Sequence, residues 1–329
     1  MEKVRSRGVV AVIVLLLILF LLSSVILAEG KVSIAITQLV EHPALDEARR
    51  GFIDVLAENG YVEGEQVEYD IQNAQGEMVN ANTIAQKFAL DKPDLIMAIS
   101  TPSAIAAANA IRDIPILITA VTDPVDAGLV ESNEKPGTNV TGTNDMNPIK
   151  EQFELILQFV PEAKSVGIIY NAGESNSVVQ VNIAKEVSEE LGLRLVEASV
   201  SSSTEVLMSA NSLLGRVDAI YVPTDNTVVS TIESVVMVAE ENNLPLIAGE
   251  ENSIQRGAIA TIGINYYRLG RQTGEMALRI LKGEARPEDM PIESQKEYRL
   301  VLNVDAAEAM GVEIPEDLLN NADEIYKEE

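Results

Sequence analysis

After an apolar N-terminus, the chain presents one series of elements twice. Between Lys31 and Asp145 the short apolar runs 32–37, 67–71, 95–99 and 116–119 alternate with stretches of helical periodicity. Between Ser165 and Asn265 the series returns with runs at 166–170, 193–196, 219–222 and 244–248. Brief apolar strands separated by helices imply parallel sheets covered on both faces, an α/β architecture. Two such units in tandem give two doubly wound parallel-sheet lobes joined by a hinge, with one cleft between them. Ligands of open parallel sheets collect at the carboxyl ends of the strands, so the duplication points to a protein that binds something in that cleft.

The boundaries expected from this pattern are a first lobe over 31–145, completed by about 266–295, and a second lobe over 146–265. Residues 296–329 supply a strand, a helix and an acidic tail near the hinge. Pro148 to Val160 reads as a helix, Ser177 with Gln180 as a capping box, Thr227 to Asn242 as one long helix, and the tail after Pro315 as surface. No low-complexity tether separates the lobes, so close crossings join them. Thr143, Gly263 and Asn265 are the expected hinge positions, with a third crossing nearer the C-terminus.

Lys3, Arg5 and Arg7 precede an apolar run from Val9 to Leu22, and Ala28 offers a small residue before a cut. Residues 1–30 therefore read as an export signal or as an N-terminal membrane anchor over 9–28. The protein is expected outside the cytoplasm, periplasmic or on the cell surface, touching the membrane only through its N-terminus. The formal charge of -27 excludes a general nucleic-acid binder, because phosphate contact needs a basic surface. With no Cys and a single His, thiol catalysis is excluded and zinc chemistry is disfavoured. Gly-x-Ser-x-Gly is absent, and no Gly-rich loop matches a phosphate cradle. No catalytic residue, metal or cofactor is expected.

Candidate ligand-binding residues lie where strands end and helices begin, because unpaired backbone N–H groups and a positive helix end meet there. In the first lobe these are Thr37, Gln38, Ser100, Thr101, Ser103, Thr122 and Asp123. In the second they are Tyr170, Asn176, Ser177, Thr224, Asp225, Asn226 and Glu250. Asp225 stands out: an acid just after an apolar strand in a neutral segment could pair with a ligand ammonium, although a capping or turn Asp is the plainer reading. His42, before Pro43, reads as a surface or capping residue; Tyr266-Tyr267 could offer an aromatic wall, although packing at an element junction is the plainer reading.

Taken in order, Thr37-Gln38 with His42-Pro-Ala-Leu-Asp46, Ser100-Thr-Pro-Ser103, Val121-Thr-Asp-Pro-Val125, Tyr170-Asn171 through Gln180, Pro223-Thr-Asp-Asn-Thr227, Gly249-Glu-Glu251 and Tyr266 to Thr273 resemble the extracytoplasmic substrate-binding proteins of ABC transporters of the TrpX type. The resemblance covers residues 31 to about 315. It implies the type I periplasmic-binding-protein fold and an amino acid ligand, aromatic ones favoured. It also implies an ABC permease with its ATPase as partners, and a monomer. The backbone of the amino acid would then be held by Ser100, Thr101, Asn176, Ser177 and Asp225. Many members carry a lipid-bearing Cys, which this chain lacks. A ligand-sensing domain for a membrane receptor, or an exported hydrolase using the same cleft, are the alternative functions. The hydrolase would need a base beside a nucleophile, a constellation the sequence does not show.

Overall fold

The computed structural model describes residues 30–327, so the expected export signal or anchor over 1–28 lies outside the described residues. Among those residues no helix is long and apolar enough to cross a membrane.

The first sheet is built from β1 (Val32–Gln38), β2 (Val67–Asn73), β3 (Leu95–Ile99), β4 (Ile116–Val121) and β5 (Val140–Asn144), closed at one edge by the short β11 (Glu293–Ser294). Its order is β2-β1-β3-β4-β5-β11, parallel throughout. The helices α1 (Pro43–Glu58), α2 (Met78–Asp91) and α3 (Thr101–Ala110) connect the strands. β3 and β4 are buried at every position, as expected of strands covered on both faces.

The second sheet repeats the order with β6 (Ser165–Asn171), β7 (Arg194–Val200), β8 (Ala219–Val222), β9 (Leu246–Ala248) and β10 (Ala260–Gly263), then adds β12 (Arg299–Asn303) and β13 (Glu324–Tyr326). Its helices are α4 (Ile149–Phe159), α5 (Ser175–Glu190), α6 (Val206–Asn211), α7 (Asn226–Val229), α8 (Glu233–Glu241) and α9 (Asn252–Gln255). α10 (Tyr266–Leu281) leaves this sheet and packs on α1 of the first. α11 (Val304–Ala309) and α12 (Glu316–Asn321) precede the last strand.

Three expectations change. The helix expected over 227–242 is two helices, α7 and α8, separated by a short turn. The tail after Pro315 is not plain surface: β13 pairs in parallel with β12, held by Arg299 to Glu324 at 2.9 Å. The second sheet is not wholly parallel either, because β12 runs antiparallel to β10.

The chain passes between the two sheets three times, at 145–148, 264–265 and 295–298. Thr143 lies just before the first passage, buried, its hydroxyl bonded to Thr119 at 3.1 Å and Thr273 at 2.8 Å. Gly263 and Asn265 bracket the second. Asn265 accepts from the Arg268 N–H, capping α10, while its amide donates to Glu251 at 2.9 Å. Gln295 on the third passage exchanges hydrogen bonds with the Asn265 backbone. Glu251 also meets Arg299 at 3.1 Å, so one carboxylate braces the second and third passages together.

Packing of α10 on α1 depends on missing side chains. A Cβ at Gly270 would stand 1.8 Å from the Ala48 carbonyl oxygen, and one at Gly51 would stand 2.1 Å from that of Tyr267. Only glycine lets two backbones approach so closely. The contact fixes where α1 begins, and α1 begins at the cleft.

Candidate functional site

Between the sheets lies a cavity of about 300 Å³. From the first lobe it is walled by His42, Ala44 and Leu45 at the start of α1 and by Ala120 and Thr122 at the end of β4. From the second come Asn176, Thr224, Asp225, Asn226, Val229 and Glu250, while Asp145 and Tyr266 line it from the first two passages.

β4 reaches this wall through a distorted strand end. Its register with β5 shifts between Ile118 and Val121, and Ala120 has φ 53, uncommon for a residue with a side chain. Gly142 on β5 makes the irregularity possible, since a Cβ there would lie 2.1 Å from the Ile118 oxygen. Ser100, at φ 85 before α3, is a second such residue. Backbone of this kind costs about 1–3 kcal/mol per residue and concentrates at functional sites.

Asp225 caps α7 and does more. Its Oδ1 accepts from the Val228 N–H at 2.8 Å, and its Oδ2 accepts from the Asn171 N–H and the Ser177 hydroxyl, both at 2.6 Å. Ser177 and Gln180 therefore do not form a capping box: Ser177 serves Asp225, and Gln180 accepts from the Thr224 N–H and hydroxyl. Glu174 stands beside them, accepting from Asn226 and from the Thr227 N–H and hydroxyl. Burial, then the neighbouring Glu174 charge, push the Asp225 carboxyl up.

Two further acids line the cavity. Asp145 accepts from Tyr266 at 2.7 Å and from Thr122 at 3.2 Å, tying the first passage to the second and to β4. Glu250 accepts from the Asn252 N–H at 2.6 Å and from the Ser253 hydroxyl. Burial raises both carboxyls. No Lys or Arg lines the cavity, so its electrostatic character is that of a cation acceptor.

The residues expected from the sequence divide by place. Thr122, Asn176, Thr224, Asp225, Asn226 and Glu250 reach the cavity wall, and Ser177 lies directly behind Asp225. Thr37, Gln38, Ser100, Thr101 and Ser103 are buried but do not line it. Gln38 donates to Asp46 and the Val40 carbonyl and accepts from Arg49, bracing the start of α1. Thr101 accepts from the Thr122 N–H, and Ser100 donates to Ser103, each at 3.4 Å. Asp123 closes an exposed turn on the Val125 and Asp126 N–H groups. Tyr170 points its hydroxyl to Glu197 on β7, away from the cavity.

Sequence reasoning passed over His42 and Asp145, and it raised Tyr266 only as an aromatic wall that packing explained more plainly. His42 is neither surface nor a side-chain cap: it is 7% exposed and makes no capping bond. The rule that found the others would have found it, since it sits between the end of β1 and the start of α1. Asp145 and Tyr266 sit on passages between lobes, and only the fold brings them together.

Known proteins with the same architecture give this cavity a context. Over 281 residues, 85% of this chain and 81% of the relative, the sequence is 47% identical to the tyrosine-binding protein of Clostridioides difficile (strain R20291). A Streptococcus pneumonia ABC domain solved in complex with L-Trp is 35% identical, spans 90% of this chain and all of its own, and superposes with a TM-score of 0.87. The ligand-free, open structure of a Clostridium difficile substrate binding protein with adhesive properties is 49% identical over 90% of this chain and 99% of its own, yet superposes at only 0.67. The family model described as ABC transporter substrate binding protein matches residues 33–326. That is a family of binding proteins rather than enzymes, and the chain belongs to it.

Proposed function

We propose that this chain is the extracytoplasmic receptor of an ABC importer. It takes an aromatic amino acid, tyrosine or tryptophan, between its lobes as a monomer and delivers it to a membrane permease driven by its ATPase. The observation that carries the reading is a cavity walled from both lobes at the ends of their strands, lined by Asp145, Asp225 and Glu250 and free of Lys and Arg. A ligand that bridges both walls favours the closed arrangement by its differential affinity, and closure is what a permease can read. The acids of the wall suit the α-ammonium, with Asp225 as its partner. Asn176 is the group proposed beside the remaining backbone atoms, while Ser177, behind Asp225, and Ser100 and Thr101, behind Thr122, are proposed to position the groups that do reach the ligand. Thr143, Gly263 and Asn265, on or beside the passages, are proposed as the positions that absorb the rotation. The first 28 residues are proposed to export the chain or hold it at the membrane.

The test is binding to the chain without residues 1–28, followed by calorimetry and by thermal unfolding with each of the 20 amino acids. At about 1,000 times the dissociation constant a ligand adds about 4 kcal/mol, enough for a shift of several degrees. Because the protein has no Trp, tryptophan binding is also visible in the ligand's own emission. A shift with aromatic amino acids alone is the expected result; no shift with any of them refutes the assignment.

A further inference from the structure

His42 is the one histidine of the chain. Its imidazole is on the cavity wall, and both Nδ1 and Nε2 are buried; neither makes a hydrogen bond of full geometry within the protein, although the Asn226 side chain stands close enough to act on the ring as a weak partner. On the facing lobe the Oδ1 of Asn176, also on the cavity wall, is buried and unpartnered as well. Buried polar atoms are satisfied in the great majority of cases, and three atoms without a full hydrogen bond on one small cavity need an explanation.

Capping does not supply it. His42 occupies the N-cap position of α1 without bonding the helix through its side chain. Around the cavity stand Asp145, Asp225 and Glu250, and Arg256 acts on the ring through its charge. We infer that His42 is a ligand-contacting residue, offering the bound molecule a neutral imidazole with one donor and one acceptor that the fold leaves open for it. Burial, then the Arg256 charge, hold the ring's pKa down to about 3, with the Asn226 side chain working the other way. The ring is therefore uncharged at neutral pH and presents one N–H and one lone pair. The chemistry it fits is a group that hydrogen-bonds without demanding a full charge: a phenol hydroxyl, or the backbone atoms of a free amino acid. This inference rests on the amino acid reading above.

Two variants and one spectrum test it. His42→Gln keeps a donor and an acceptor, whereas His42→Leu removes both. If the imidazole serves the ligand, His42→Leu lowers affinity for tyrosine roughly 10- to 100-fold, the factor expected when a buried polar partner is lost. It does so while folding stability holds or rises, because a poorly paired buried polar group has gone. His42→Gln retains affinity within roughly tenfold. A merely structural histidine would give the reverse pattern, with stability falling and affinity unmoved, and that result overturns the inference. Comparing tyrosine with phenylalanine separates the two sources: a loss confined to tyrosine assigns the imidazole to the side-chain hydroxyl, and an equal loss assigns it to the amino acid backbone. The imidazole ¹⁵N spectrum of the untagged protein contains a single residue. Tyrosine should move its two nitrogen shifts, and unmoved shifts in a saturated complex overturn the assignment. If the wild-type protein binds none of the aromatic amino acids, the functional reading fails first, and this inference with it.

Discussion

Replacing Asp225 removes more than a charge for a ligand. Its two oxygens accept from two backbone N–H groups and one hydroxyl, at 2.8, 2.6 and 2.6 Å, in a fully buried position. Asp225→Ala strands all three donors. Each buried donor left without an acceptor costs about 1–3 kcal/mol, so the gross cost is about 3–9 kcal/mol. Relief of a buried carboxylate beside Glu174 offsets part of this, leaving a net of about 3–6 kcal/mol. For a chain of this size about 2 °C is lost per kcal/mol, so the melting temperature should fall by about 6–12 °C. Asp225→Asn separates stability from charge: its single oxygen can still accept from Asn171 and Ser177, so its cost should stay near 1–2 kcal/mol. The assays are calorimetric melting of both variants, followed by tyrosine titration at a temperature where both are folded. An Asp225→Ala melting temperature within 2 °C of wild type would refute the hydrogen-bond accounting. An Asp225→Asn protein that binds as tightly as wild type would remove the carboxylate charge from recognition.

Stability should depend on pH with two opposed limbs. Burial pushes Glu251 up to about 7 from 4.5 despite Arg299, so its contribution is complete below pH 4.5 and is lost as pH rises through 7. His42 is held down to about 3 from 6.5, so its contribution is complete above pH 6.5 and is lost as pH falls toward 3. Between pH 4.5 and 6.5 the two slopes are opposite and cancel, so stability measured by urea unfolding should form a plateau there and fall on either side. Glu251→Gln should convert the plateau into a rise up to pH 6.5, and His42→Gln into a fall from pH 4.5; variant profiles that keep the wild-type shape contradict both. Gly270→Ala drives a Cβ into the Ala48 carbonyl at 1.8 Å. It should cost about 3 kcal/mol or more and, by moving the start of α1 with His42, weaken tyrosine binding; normal stability by thermal melting would show that the helix pair adjusts freely.

How much of this was legible in the chain depends on how far apart in sequence the cooperating groups lie. Two α/β units follow from apolar runs and helical spacing, because strand and helix periodicity are local and the second unit repeats the first. Polar residues after strands could be picked out for the same reason, and six of those chosen do reach the cavity: Thr122, Asn176, Thr224, Asp225, Asn226 and Glu250. The same rule could not rank them. Thr37 and Ser103 look no different in sequence from Thr122, yet only Thr122, which follows the distorted end of β4, lines the cavity.

What the sequence by itself determined is the duplicated fold and the ends of the strands where chemistry gathers, since both are set by contacts between near neighbours in the chain. Only the tertiary structure decided that Asp145 meets Tyr266 across 121 residues, that β13 rather than open surface ends the described chain, and that a lone histidine stands buried on the wall of a cleft. Those facts depend on where separate segments come to rest against one another, and spacing along a single chain carries no record of that.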